Sequence, residues 1–570
     1  MRRLSIVAGS FAAVVALGQS VAPTPVAAGS TRDGDARVTS GSPTTHFPRN
    51  KQNEPAAGVA LNPNDPSVLA SGSNEEIDNS PCHGSDCSFT PGVSDNGIYF
   101  SFNGGGSWQE PTYTGWSART GTAKVGPIGT VPWFYESGLV GDGDPALAFG
   151  PRPGPHGFSW DNGSRLYYSS LTSNFPGTST INAQEAIAVA RTDDVHAAAA
   201  GDKNAWMRPV IASKDLTPAT FSDKSEIWVD NAATSTHFGN VYVCWTSFGA
   251  TSAPIVVARS TDGGSNYSHP VTVFNTPPTS NGGSTSCTVR SDSHGTVYVL
   301  WEQINSPAPS NQMMARSFDG GRTFDTPRNV ADVVEVGKDD PVHSANGDPR
   351  LTFDGIAGAR TDSGLQVDIA NGAPSGRDAT NQMVMTWSDA RHGLNHEEAL
   401  VETSRDQGNH WSAPAAAQAS GDRPDFPAIA ISPDGRTVYL TYDAFRTPWR
   451  NTTSDSRLMQ GVVRVAAVDD EGGIRDFHTI HRGDVGDARA SSENNLCCEF
   501  LGDYNYVVAT RASGTAVWND VRDAQVCPAM NAYRQSLMTT SPLPKPSPAT
   551  DCPPRFGNSD IFGGTYPAGD

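Results

Sequence analysis

The chain has 570 residues, with 60 Asp or Glu against 40 Lys or Arg, and a formal net charge of -20. Nucleic-acid binding needs a basic surface that neutralises phosphates, so this balance argues against a nucleic-acid partner. The abundance of Gly and Pro, at 57 and 42 residues, is typical of a turn-rich, globular β protein rather than a disordered one.

The N-terminus has the pattern of a secretory signal peptide over residues 1–28. Arg2 and Arg3 are followed by a short apolar stretch over residues 6–17 and by small residues before Gly29. That stretch is too short to span a bilayer, and no later segment is long enough. We therefore expect a secreted, extracellular monomer with no integral membrane segment.

Three predicted strands then recur in seven consecutive units. The first strands are predicted at 56–61, 145–149, 226–229, 287–290, 350–353, 427–431 and 504–509. The second strands are predicted at 68–73, 165–171, 241–247, 296–302, 382–388, 437–442 and 515–519. The third strands are predicted at 97–102, 186–191, 254–260, 312–317, 399–404, 461–467 and 531–538.

Short strands in regular units predict an all-β chain that forms a single β-propeller. We expect one domain over residues 45–540 with seven blades, six being the alternative. The stretch near residues 36–40 is expected to give the last blade its outer strand, because a closed ring leaves no long sheet edge open. Residues 541–570 are expected to wrap over the surface.

One short phrase, Ser-x-Asp-x-Gly-x-x-aromatic, is repeated at the ends of third strands. Copies occupy residues 260–267, 317–324 and 404–411, and a fourth at 101–108 has Asn in place of Asp. Asp and Ser side chains bond to nearby backbone N–H groups, and Gly allows the positive φ of a tight turn. The phrase therefore predicts a hairpin that maintains the fold, and its Asp residues are not candidates for catalysis.

Eight cysteines in an exported chain predict disulfides rather than metal ligands. Cys82 and Cys87 are expected to close a small loop, and Cys244 and Cys287 could link neighbouring blades. The remaining four, Cys497, Cys498, Cys527 and Cys552, would supply two more bridges whose connectivity the sequence leaves open.

With these repeats the chain resembles the Asp-box (BNR-repeat) sialidase-like propellers, a resemblance that covers most of the mature chain. The sialidases of that group imply three arginines that bind a sialic acid carboxylate, a Tyr nucleophile activated by a Glu, and an Asp general acid/base. Arg suits the first role because it is planar, always charged and bidentate toward carboxylates. A neutral Tyr can approach an anionic sugar that would repel a carboxylate nucleophile.

The starts of first strands and the ends of second strands share one rim of a propeller. Two second strands end in the same phrase, Trp-x-Asp-x-Arg, which places Asp389 with Arg391 and Asp520 with Arg522 on that rim. Together with Arg350, the two arginines form a candidate substrate-carboxylate clamp. The alternative is that each Arg pairs with its neighbouring Asp and braces a loop.

A second dense patch on the rim is Glu499 to Tyr504. Tyr504 is a candidate nucleophile with Glu499 or Asp503 as its activating base; the alternative is that Tyr504 is a packed strand residue and Glu499 a loop carboxylate. Asp144, next to Asp142, is a candidate acid/base. The same two carboxylates could bind Ca²⁺, since hard cations prefer oxygen ligands, or could simply shape a turn.

The resulting hypothesis is a secreted, sialidase-like glycoside hydrolase that acts on acidic-sugar glycans at the propeller rim. No cofactor is required, and Ca²⁺ is optional. A non-catalytic propeller that binds glycans or proteins is one alternative. A polysaccharide lyase that neutralises a uronate with Arg is another, with Tyr or His392 as its base.

Overall fold

The computed structural model describes residues 34–39, 59–249, 252–275, 282–305 and 309–568. The predicted signal peptide and the first residues of the first predicted strand lie outside these ranges. Within them the chain forms seven antiparallel sheets arranged in a ring, the seven-bladed propeller expected from the sequence.

The strands of the first four blades follow the chain order from the channel outward. They are Val59–Leu61, Leu69–Asn74 and Asn96–Ser101 in blade 1; Ala146–Gly154, Gly157–Asn174, Ala186–Thr192 and Trp206–Ile211 in blade 2, with Leu139–Gly141 beside it; Phe221–Val229, Val241–Phe248, Ile255–Ser260 and Val271–Phe274 in blade 3; and Gly282–Ser291, Val297–Asn305, Ser310–Ser317 and Arg328–Val333 in blade 4.

The last three blades follow the same order, and a few short elements decorate the ring. The strands are Gln366–Ile369, Met383–Asp389, Glu398–Ser404 and Ala415–Ala416 in blade 5; Arg423–Ile431, Thr437–Phe445, Leu458–Ala467 and His478–Arg482 in blade 6, with Gly486–Asp487 beside it; and Tyr506–Ala509, Ser513–Asp520, Asp560–Pro567 and Ala36–Arg37 in blade 7. Helices span Val195–Ala199, Pro341–Ala345, Pro528–Ser536 and Pro548–Asp551, and two-stranded ribbons pair Tyr113–Ser117 with Lys124–Ile128 and Lys338–Asp339 with Leu351–Thr352.

The core lies between neighbouring blades. Trp245, Trp301, Trp387 and Trp518 occupy second strands of four blades, and each is at most 1% exposed. The cluster around Trp301, for example, combines apolar side chains of blades 3 and 4. Alternation along a strand places these side chains on one face, so each blade buries its face against the next.

The ring closes as predicted, with the N-terminal strand Ala36–Arg37 as the outer strand of blade 7. The third strand of blade 7, which pairs with it, was predicted at the wrong position. Residues 531–538, predicted as that strand, lie mostly in the helix Pro528–Ser536. Pro528 sits at the first helical turn, where Pro is favoured. The third strand of blade 7 is instead Asp560–Pro567, so the propeller continues beyond residue 540 and into the stretch expected to wrap the surface.

The first strand of blade 5 was also wrongly placed. The predicted segment at 350–353 belongs mainly to the ribbon between Lys338–Asp339 and Leu351–Thr352. Gln366–Ile369 pairs with the second strand instead, and its Val367 and Ile369 are buried. This shift moves Arg350 away from the start of an inner strand.

The repeated Ser-x-Asp-x-Gly phrase forms the predicted turns. In one copy Ser260 Oγ donates to Asp262 Oδ1 at 2.8 Å, and the backbone N–H groups of Ser265 and Asn266 donate to the same carboxylate. Gly264, with φ +78°, donates its N–H to Ser260 Oγ. The Asp262 carboxylate accepts hydrogen bonds from the backbone of its own turn, which confirms a structural role for this Asp.

The expected disulfides Cys82–Cys87 and Cys244–Cys287 are present, and the latter joins blades 3 and 4. The remaining bridges are Cys497–Cys498 and Cys527–Cys552. Across the described ranges, the helices are all too short or too polar to cross a membrane.

Asp35 joins the N-terminal strand to blades 6 and 7, and its replacement by Asn should lower stability. Its buried carboxylate lies 2.9 Å from Arg522 Nη2 and 3.1 Å from His481 Nε2. Burial raises the pKa of Asp35, but these two partners outweigh burial and hold its pKa below the ordinary 3.8. We expect Asp35→Asn to lower the free energy of unfolding by about 2–4 kcal/mol at pH 7.

Because the pKa is depressed in the folded state, this stabilisation is complete above the unfolded-state value and is lost as the pH falls through the folded-state value. Denaturant unfolding at pH 7 and pH 3 should therefore show a large difference between variant and native protein that shrinks at pH 3. Asp523→Asn, which removes an exposed ion pair with Arg37, is the control and should cost less than about 0.5 kcal/mol. An Asp35→Asn cost that is the same at both pH values would contradict the ion-pair role.

Candidate functional site

A cavity of about 880 Å³ opens on the face where inner strands begin and second strands end. Its lining comes from blades 1, 2 and 3 and from the connections that precede blades 5 and 7. A narrow pocket of about 30 Å³ continues from it into the channel and shares Asp144, Lys224 and Asp503 with it. The predicted rim is thus a concave surface of the size that small-molecule and sugar sites have.

Bulges in three inner strands aim residues at the channel. Lys224, Ser286 and Phe426 have positive φ values of 55°, 54° and 44°, and each lies where its strand shifts register against the second strand. All three line the narrow pocket. A bulge redirects a side chain relative to the regular alternation, which is how Lys224 reaches the cavity.

One side of the cavity is cationic, with Asp503 bridging two bases. Lys224 Nζ lies 2.5 Å from Asp503 Oδ2, and Arg360 Nε lies 2.6 Å from Asp503 Oδ1. Burial raises the pKa of Asp503, but Arg360 and Lys224 together outweigh it and hold that pKa well below its ordinary range. The Asp503 carboxylate therefore lies between two side chains that stay positively charged.

The other side is acidic. Asp95, Asp142, Asp144, Glu185 and Asp223 all line the cavity. Burial, reinforced by repulsion from the other four carboxylates, raises the pKa of Glu185 to about 10, and burial raises the pKa of Asp142 to about 6. Glu185 therefore keeps its proton at neutral pH, which a general acid requires.

Tyr504 forms part of the wall of the narrow pocket. Its hydroxyl is buried and makes no hydrogen bond to any described residue, and Lys224 Nζ lies 4.6 Å from the ring centre. Burial raises the pKa of Tyr504, while Lys224 opposes this shift and Asp144 adds to it. The structure thus brings two predicted site residues, Tyr504 and Asp144, into one pocket.

The three predicted clamp arginines are not brought together. Arg350 lines the cavity, where its Nε lies 2.6 Å from Asp348. Arg391 forms a two-pronged ion pair with Asp389, with its Nε 2.8 Å from Oδ1 and its Nη2 3.0 Å from Oδ2. Arg391 does not line this cavity.

Arg522 lies in a comparable arrangement at the end of blade 7. Its guanidinium contacts Asp520 at 2.6 Å and Asp35 at 2.9 Å, and it stacks over the ring of Phe562. Both Trp-x-Asp-x-Arg phrases therefore follow the alternative stated above, in which each Arg pairs with its own Asp. The bases that accompany Arg350 at the cavity are Lys224 and Arg360.

Glu499 is not placed to activate Tyr504. Its Oε1 accepts from Arg457 Nη1 at 2.7 Å, and both side chains are at most 1% exposed. Burial raises the pKa of Glu499. Residues 499–503 follow an irregular path that turns Glu499 toward Arg457 and Asp354. Glu499 and Tyr504 therefore do not meet, although they are five residues apart in the sequence.

Arg360 and Glu185 were absent from the candidates for identifiable reasons. Arg360 precedes the true first strand of blade 5, which was misplaced. Glu185 directly precedes the third strand Ala186–Thr192, and third strands begin at the same face where second strands end. His392, considered as a lyase base, is exposed and pairs with Glu398 outside this cavity.

Metal-ligating side chains gather at one place in the described part of the chain. The ligand atoms of His343, Glu493, Cys497 and Cys498 lie within 4.8 Å of one another. Asp142 and Asp144 belong to no such group within the ranges described, although their oxygen atoms suit Ca²⁺ chemically.

Comparisons with known proteins find propellers of low similarity. No family model and no curated protein matches the chain. Among solved structures, a Hadza microbial sialidase is 13% identical with a TM-score of 0.36, covering 68% of this chain and 63% of its own. This chain thus spans less than two thirds of that sialidase.

Two further structures are matched over most of their length. An α-L-arabinofuranosidase from Fusarium graminearum is 10% identical with a TM-score of 0.38, covering 74% of this chain and 92% of its own. A polysaccharide lyase, an ulvan lyase, is 12% identical with a TM-score of 0.39, covering 85% and 92%. At this level of similarity no activity or residue role follows for this chain.

Replacing Glu185 with Gln should stabilise the protein at high pH. Because its pKa is raised from 4.5 to about 10, the folded protein binds the proton more tightly than the unfolded chain. The stability that Glu185 contributes is therefore fully present below pH 4.5 and is lost as the pH rises toward 10. Gln avoids that loss, so Glu185→Gln should raise the free energy of unfolding by about 1–3 kcal/mol at pH 8.

Denaturant unfolding at pH 8 and pH 4 measures this effect, and the gain should disappear at pH 4. The exposed Asp161 supplies the control variant Asp161→Asn, which should change stability by less than about 0.5 kcal/mol at either pH. A loss of stability in Glu185→Gln at pH 8 would contradict a protonated Glu185.

Proposed function

We propose that this protein is a glycoside hydrolase that cleaves glycans carrying an acidic sugar at the mouth of its central channel. The observation that carries the proposal is the polarity of one cavity. A carboxyl that holds its proton at neutral pH lies on one side, two arginines and a lysine lie on the other, and the Tyr504 hydroxyl is in the pocket below.

The cationic side suits the carboxylate of an acidic sugar. Arg350 and Arg360 both line the cavity, with side chains 30% and 27% exposed, while each pairs with an Asp. Asp503 lies between Lys224 and Arg360, and Lys224 Nζ is also 3.9 Å from Asp362. A substrate carboxylate here would gain charge-assisted hydrogen bonds of the bidentate kind that Arg favours.

The acidic side suits cleavage of the glycosidic bond. Glu185, protonated, is the donor to the leaving-group oxygen, and Asp144 is the carboxylate that we assign to accept the proton of Tyr504. In this scheme the Tyr504 oxygen attacks the anomeric carbon, and water later releases the sugar. A neutral nucleophile is suited to an anionic sugar, as noted above.

A polysaccharide lyase is a second candidate, favoured by the surroundings of Tyr504. No described carboxylate bonds to its hydroxyl, whereas the Lys224 ammonium lies over its ring. In β-elimination the cations would neutralise a uronate carboxylate. Tyr504, after passing its own proton to Asp144, would take the proton at C5 as the tyrosinate, and Glu185 would give its proton to the leaving O4 oxygen. The product would then carry a double bond and absorb in the ultraviolet, whereas hydrolysis adds water and gives no such absorption.

The first test is Tyr504→Phe, assayed with a fluorogenic sialoside and acidic polysaccharides, each with and without Ca²⁺. We expect the native protein to release sugar without new ultraviolet absorption and Tyr504→Phe to lower kcat by at least about 100-fold. Tyr439→Phe is a matched control, because the buried Tyr439 hydroxyl also makes no hydrogen bond to a described residue, but it lies in blade 6 away from the cavity. An ultraviolet-absorbing product would identify the lyase, and no product from folded protein would favour a binding propeller.

The second test separates the two sets of arginines. Arg360→Gln and Arg350→Gln should each raise KM for an acidic glycan by about 10–100-fold, because each removes a charge-assisted contact to the carboxylate. Arg391→Gln, outside the cavity, should leave KM unchanged once thermal unfolding confirms a folded variant. A KM effect in Arg391→Gln alone would instead support the clamp suggested by the two Trp-x-Asp-x-Arg phrases.

A further inference from the structure

A second cluster of side chains with possible ligand atoms lies behind the cavity wall. It consists of His343, Glu493 and the adjacent residues Cys497 and Cys498, whose possible ligand atoms all lie within 4.8 Å of one another. Both cysteines are at most 2% exposed, and in the structure they form a disulfide with each other. None of the four takes part in the hydrolysis proposed above.

His343 is the unusual member of this cluster. Its side chain is 1% exposed, and neither ring nitrogen makes a hydrogen bond within the described part of the chain. Two carboxylates come near without bonding, Asp340 at 3.9 Å from Nε2 and Asp348 at 4.0 Å from Nδ1. A buried polar group without a hydrogen bond is costly, so an imidazole in this setting suits a ligand that the fold is built to accept.

The donor atoms fit a particular class of metal. Two thiolates, an imidazole nitrogen and a carboxylate oxygen form a four-ligand set of the kind that binds Zn²⁺ tetrahedrally, and Cd²⁺ shares its preference for sulfur. While the disulfide is intact, neither sulfur atom is a thiolate that could bind the metal. A dithiol reductant would convert Cys497–Cys498 to two thiols while it becomes a cyclic disulfide itself, and metal binding would then release the two thiol protons.

Glu493 provides the route to the cluster. It is half-buried and lines the 880 Å³ cavity together with Asn494 and Asn495, while Cys497 Sγ lies 3.5 Å from its Oε2. Behind the loop, the buried Arg534 donates to the carbonyl oxygens of Ser491 and Cys498. The loop is thus held in place on one side and open to the cavity on the other.

We propose that His343, Glu493, Cys497 and Cys498 form a redox-gated site for a sulfur-preferring divalent cation, which binds only when the Cys497–Cys498 disulfide is reduced. Of its four residues only Glu493 also lines the glycan cavity, and the proposal does not depend on glycan binding. A cation bound there would tie the cavity loop to the Pro341–Ala345 helix that carries His343.

Cd²⁺ titration of the full chain tests the site, because thiolate–Cd²⁺ bonds absorb in the ultraviolet. After reduction with a dithiol and its removal under anaerobic conditions, the native protein should bind one more Cd²⁺ with this absorption than the double variant Cys497→Ser/Cys498→Ser. The other six cysteines are the same in both proteins, so the difference isolates this pair. The oxidised native protein should lack the extra Cd²⁺.

His343→Gln and Glu493→Gln keep both cysteines and guard against a double variant that fails to fold. Each should weaken the affinity of the reduced protein for Cd²⁺ by at least about tenfold, since even residues behind metal ligands have effects of that size. Near-ultraviolet circular dichroism checks the fold of every variant. Equal Cd²⁺ curves for reduced native and double-variant protein would overturn the proposal, as would unchanged affinity in both single variants.

Discussion

The structure depends on ion pairs that cross the central channel. Each inner strand belongs to a different blade, so a bond between inner strands fixes blades that are far apart in sequence. At the cavity, Asp503 of the connection into blade 7 holds Lys224 of blade 3 and Arg360. Deeper in the channel, Arg290 of blade 4 contacts Glu226 of blade 3 at 3.0 Å and the hydroxyl of Tyr506 in blade 7 at 2.5 Å. Removing one partner of such a buried pair leaves an uncompensated charge, so the blades that these pairs join must form together.

The candidate site follows from the way this charge is distributed. Cations at the channel mouth are held in place by Asp503, whereas burial and mutual repulsion among the carboxylates beside blade 2 keep Glu185 protonated. The same cavity therefore offers a positive side for an anion and a proton donor for a leaving group. Such a site lowers the stability of the folded state, as is expected where function rather than folding selects the residues.

Much of the fold could be predicted from the sequence, because alternation and turn chemistry are local. The second strands and the Ser-x-Asp-x-Gly turns follow from local patterns, whereas the closing strand Ala36–Arg37 was expected because a closed ring leaves no long sheet edge open. The errors arose where local signals misled. Gly563 and Gly564 weaken the appearance of a strand at Asp560–Pro567, and the alternation of Leu351 and Phe353 with polar neighbours resembled an inner strand. The second error concealed Arg360. The site depends on which loops meet across the ring, and the positive φ of Lys224 that aims it at the cavity leaves no trace in the sequence.

The most direct test of the account is a crystal structure of the Tyr504→Phe protein with an acidic oligosaccharide bound. The account predicts that the sugar lies in the 880 Å³ cavity, with its carboxylate at Arg350 and Arg360 and its glycosidic oxygen facing Glu185. Sugar bound instead at the opposite end of the channel, in the cavity of about 440 Å³ lined by Trp228 and Arg290, would contradict it.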